Sequence, residues 1–136
     1  MTTKHTHLAG AAAGAALLGS LVAVAPAHAG GGGGDFTQNT GACSMGSTWI
    51  AKTKAHLNQV ELEFSVETQR AGQMWSVRVT DNGVLLFDGN RTTNVRSRSF
   101  SVRRLTDNRA GADRFRARAV NARTGEVCRG HVAFSG

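Results

Sequence analysis

The chain has 136 residues, 16 of them basic and 9 acidic, a formal net charge of +7, and two cysteines. This length excludes a string of several domains, the charge points to anionic rather than cationic partners, and two cysteines exclude a framework of several disulfides.

In chain order, the first element is a leader. Met1–Gly10 carries Lys4, and the stretch after it, AAAGAALLGSLVAVA (Ala11–Ala25), has no charge. Ala27 and Ala29 then place small residues at the two positions a signal peptidase reads. This pattern predicts a secretory signal peptide over residues 1–29, cleaved on export. The apolar run is about 15 residues, short of the roughly 20 that span a bilayer. No later segment is apolar enough to try. The protein is therefore expected to be secreted, outside the cell or associated with its envelope, with no transmembrane segment in the mature chain. Residues 30–42, which open on GGGGGD, read as a glycine-rich flexible leader. They are no phosphate loop, because such a loop needs a preceding strand and a Gly-Lys-Ser/Thr ending.

Residues 43–136 make the expected domain. Cys43 and Cys128 lie near its two ends. In an oxidising compartment a disulfide between them is the expected state. Closing a loop of about 85 residues would stabilise the fold by roughly 4 to 5 kcal/mol on the chain-entropy account.

From there polarity alternates. In Gln59–Glu67 (QVELEFSVE), Val60, Leu62, Phe64 and Val66 fall on one face and Glu61, Glu63, Ser65 and Glu67 on the other. That is the mark of a half-buried antiparallel strand. Met74–Thr80 repeats it with Trp75, Val77 and Val79 inward, and VLLFDG follows after Asn82-Gly83. Asn-Gly between two such runs predicts a tight hairpin. Further strands are expected at Thr48–Ala55, Ser99–Arg104, Arg114–Val120 and Glu126–Phe134. About seven short strands predict an all-β chain, an immunoglobulin-like antiparallel β-sandwich, with a small β-barrel as the alternative. The cysteine and tryptophan spacing of immunoglobulin domains is not present: Trp49 follows Cys43 too soon and Trp75 too late.

The runs GQMWSVRVTDNGVLLFDGNRTT and FSVRRLTDNRAGADRFRARAVNARTGEVCRG resemble a group of small secreted proteins of high-G+C Gram-positive bacteria, the actinobacteria, that carry a signal peptide and a single cysteine pair. The likeness covers nearly all of Cys43–Phe134. It implies compartment and fold and carries over no catalytic or ligand-binding residue. The bias of 13 arginines to 3 lysines suits a GC-rich genome.

Catalytic constellations are missing from the pattern. His56 and His131 sit in no H-E-x-x-H, H-x-H or C-x-x-C setting, so neither a metal nor a cofactor is expected. There is no G-x-S-x-G elbow. Glu61, Glu63 and Glu67 have a spacing that a glycosidase pair could use, about 7 Å between alternate residues, but they read as the solvated face of a strand. The chain is expected to be non-enzymatic.

Charge is the feature that departs from the ordinary. Residues 30–89 hold four basic and six acidic side chains, whereas residues 90–136 hold eleven arginines and three acids. In DRFRARAV, Arg114, Arg116 and Arg118 alternate with Phe115, Ala117 and Ala119. The strand sets them about 7 Å apart on one side. Arg103 and Arg123 are candidates to join them, with Arg91, Arg96, Arg98 and Arg109 contributed by loops and strand edges. Two readings compete: a face neutralised within the fold by Glu61, Glu63 and Glu67, or an anion-binding surface. Guanidinium groups suit phosphate, sulfate and carboxylate. The aromatic side chains fall mostly in the inward phase, which argues against base stacking and sequence-specific nucleic-acid recognition. The expected partners are anionic polymers, namely wall polymers, acidic glycans or extracellular DNA. The alternative is a small secreted inhibitor or protein-interaction module, acting on an unidentified protein through Thr106–Asp113. Its single cysteine pair separates it from the two-disulfide inhibitors of subtilisin-like proteases.

Overall fold

Alternate residues of a strand share a face, so a segment with apolar side chains at every second position buries one side only. The computed structural model describes residues 35–136, and the expected signal peptide with the glycine run to Gly34 lies outside them. The described residues form eight strands: β1 (Phe36–Ala42), β2 (Thr48–His56), β3 (Gln59–Glu67), β4 (Met74–Asp81), β5 (Val84–Thr92), β6 (Ser99–Asp107), β7 (Asp113–Asn121) and β8 (Val127–Phe134). There is no helix among them.

The strands make two antiparallel sheets, in the orders β1-β2-β3-β6 and β5-β4-β7-β8. Neither closes on itself, so the fold is a sandwich and not the alternative barrel. β2-β3-β6 follows the A-B-E order of immunoglobulin-like domains and β5-β4-β7-β8 the C′-C-F-G order, with β1 added at the edge beside β2. The core lies between the sheets. Val60, Leu62, Phe64 and Val66 of β3 and Phe100 and Val102 of β6 oppose Trp75, Val77 and Val79 of β4 and Phe115 of β7.

The β4–β5 hairpin turns at Asn82-Gly83, with φ of 46° and 84°. Two successive positive φ values are the type I′ geometry that an Asn-Gly pair favours. Arg96 and Arg98 share the sequence phase of Phe100, yet β6 begins only at Ser99; residues 95–98 form a turn, with Arg98 at φ 54°.

Two expectations are corrected. The flexible leader does not extend to Ala42, because Phe36–Ala42 is β1 and pairs with β2 from Phe36↔Lys54 to Ala42↔Thr48. Its sequence, FTQNTGA, has no apolar alternation. Main-chain pairing and the Asn39 Nδ2 bond to the His131 carbonyl (2.9 Å) order it instead. With this edge strand the described strands number eight, in keeping with the expected count of about seven, and the Cys43–Cys128 disulfide, across a separation of 85 residues, ties the β1–β2 connection to β8. The Thr106–Asp113 loop is shorter than expected, since β6 runs to Asp107 and β7 starts at Asp113.

Both open sides of the sandwich are sealed by side chains. On the β1/β8 side, the Trp49 indole lies where a Cβ on Gly41 would be, 2.7 Å from its Cε2. On the β5/β6 side, Phe87 is stacked between the guanidinium groups of Arg91 (4.3 Å) and Arg104 (4.6 Å). Beside the disulfide, buried Glu126 accepts hydrogen bonds from the Met45 and Ser47 main-chain N–H groups (3.1 and 2.8 Å) and donation from Ser47 Oγ (2.9 Å).

Candidate functional site

The site is built by strand register. β7 lies between β4 and β8, so its outward side chains have neighbours on both flanks. Arg118 faces Arg78 of β4 on one side and Arg129 of β8 on the other. Arg116 faces Thr80 and His131, and Arg114 faces Ala133. A row of three arginines across the sheet thus crosses a column of three along β7, and they meet at Arg118. Strand geometry sets the row at about 5 Å between neighbours and the column at about 7 Å.

These side chains are exposed. Arg114, Arg116, Arg118 and Arg129, with His131, line a shallow groove of about 510 Å³ over β7 and β8. Asp88 of β5, opposite Arg78, supplies the carboxylate of this face. Among the described residues none of the five arginines is within ion-pair distance of an acid; the pair that exists there is Arg103–Glu63, at 3.1 Å on the other sheet.

Neutralisation by these glutamates reaches Arg103, through Glu63, but not the arginines of β7. Glu61, Glu63 and Glu67 belong to β3, in the opposite sheet. There Lys52 faces Glu63 and Lys54 faces Glu61 from β2, and Arg103 faces Glu63 from β6. The sandwich therefore has one mixed face and one strongly basic face, separated by its core.

No protein-family model, curated protein or solved structure matches this chain. Of the arginines singled out from sequence, Arg114, Arg116 and Arg118 come together on this face. Arg103 does not, because β6 pairs with β3 and carries it to the opposite side. Arg123 lies in the turn beyond the Arg118 end of β7, where its N–H donates to Asn121 Oδ1 (2.9 Å), beside the face and not on it.

Arg78, Arg129 and His131 were missed. Their outward phase is legible, since Arg78 alternates with Val77 and Val79, and Arg129 and His131 with Cys128, Gly130 and Val132. What alternation does not carry is which strands adjoin. No group of three or more His, Cys, Asp or Glu side chains suited to a metal occurs among the described residues.

Proposed function

We propose that this is a secreted, non-enzymatic β-sandwich protein that associates with anionic polymers of the envelope or extracellular space through the outer face of β4, β7 and β8. The observation that supports this reading is the row Arg78, Arg118, Arg129. Like charges directly opposite on neighbouring strands are destabilising. A folded surface that sets three in succession, with Glu61, Glu63 and Glu67 on the far side, is suited to an external anion. Guanidinium groups engage phosphate, sulfate and carboxylate oxygens through paired N–H donors. The face presents no aromatic ring for stacking on bases apart from the imidazole of His131, so binding is electrostatic, salt-sensitive and weakly selective.

The test is affinity of oxidised protein for heparin and for duplex DNA across a salt series, with an R114S/R116S/R118S variant alongside. The expected result is binding that weakens steeply with salt, and in the variant a slope of log affinity on log salt for DNA that is smaller by about 3. Absence of binding at low salt would overturn the reading and direct attention to protein partners.

A further inference from the structure

Val79 and Phe115 point into the core, and the period of two carries the same inward phase to Asp81 at the end of β4 and Asp113 at the start of β7. Both side chains are 0% exposed. None of their four carboxylate oxygens has a hydrogen-bond partner. In register Asp81 faces Phe115, which puts Asp113 at the adjacent inward position of β7. Two charged carboxylates enclosed in this way, without a donor between them, are strongly unfavourable.

The other groups facing the pair do not relieve it. Opposite Asp113 on β8 is Phe134, and opposite Asp81 on β5 is Val84. Burial and then the charge of Asp113 push the Asp81 carboxyl above the usual aspartate value; Arg109 of the β6–β7 loop and the Arg114 main chain draw it down without cancelling them.

We infer that Asp81 and Asp113 share one proton, forming a carboxyl pair that holds this end of the sandwich closed in acid and loosens it as the pH rises. With the proton on Asp81, its O–H donates to the Asp113 carboxylate, and one charge is buried instead of two. The pair lies beneath the β4–β5 turn and the β6–β7 loop, which Asn82 clasps together by donating to the Ala112 carbonyl and accepting from the Arg114 N–H. Repulsion between two ionised carboxylates acts on that clasp first.

The sign follows from proton binding. Between the ordinary aspartate pKa, about 3.9, and the raised value in the folded protein, the folded state holds more protons than the unfolded state. Stability conferred by the pair therefore falls as pH rises through that window.

The experiment compares thermal unfolding of oxidised protein with D81N and D113N between pH 4 and 8, with calcium and with a chelator. Asn at position 81 supplies a neutral donor to Asp113. D81N is expected to melt about 4 °C or more above the unmodified protein at pH 7, with the gain vanishing near pH 4. E63Q, on the mixed face, is expected to show no such gain. In a carbon-detected NMR titration of the unmodified protein, the Asp81 carboxyl should titrate above the ordinary aspartate range, a readout that holds if either variant fails to fold. Ordinary titration of the Asp81 carboxyl would overturn the inference. So would a calcium-dependent rise in melting temperature that D81N and D113N abolish, since a cation would then hold the pair.

Discussion

Gly130 stands in the inward phase of β8 between Cys128 and Val132, where a side chain would ordinarily fill the core. A Cβ there would lie 2.6 Å from Phe64 Cε2 and 3.1 Å from Trp49 Cε3, both from the opposite sheet. Overpacking of a dense core costs about 1 to 3 kcal/mol. G130A is therefore expected to lower the unfolding free energy by that amount, seen as a lower denaturant midpoint with an unchanged slope. The phase of this position was readable from the sequence, whereas the reason for glycine was not, because the aromatic rings that exclude a Cβ are distant in the chain. The same holds for Arg118. Its outward direction follows from Ala117 and Ala119 beside it, but its two arginine neighbours come from strands 40 residues before and 11 after it.

Among the elements, hairpins were the most legible. Asn82-Gly83 announced its turn because the backbone there needs positive φ, and these residues adopt it at little strain. The β2–β3 turn had no such signal: Leu57 takes φ 58° and is 93% exposed. A left-handed conformation costs an ordinary residue about 1 kcal/mol or more, whereas Asn tolerates it. L57N is thus expected to stabilise the protein by up to about 1 kcal/mol, measured as a raised urea midpoint. β1 was the least legible element. A polar edge strand is held by main-chain bonds to β2 and by Asn39, and composition carries no trace of either. Its recovery from a glycine-led stretch is a tertiary effect.

For the whole molecule, the Cys43–Cys128 bond joins the β1–β2 connection to β8, the opposite edge of the sandwich in sequence. The C43A/C128A variant is expected to lose about 2 to 5 kcal/mol in chemical unfolding. Since the basic face lies on the outside of β4, β7 and β8, that variant should keep its heparin affinity at temperatures where it remains folded. The all-β class, the inward set of side chains, the Asn82-Gly83 hairpin and the cysteine pair follow from the order of amino acids alone, because each rests on a local period, a local backbone demand or a simple count. The polarisation of charge along the chain is legible in the same way. Where that charge goes depends on the fold. Pairing of β3 with β2 and β6 puts Glu61 and Glu63 beside Lys52, Lys54 and Arg103, while pairing of β7 with β4 and β8 sets Arg118 between two arginines. Alternation specifies which side of a strand is wet, and strand order, set by the packing of the two sheets around a shared core, specifies what meets on that side.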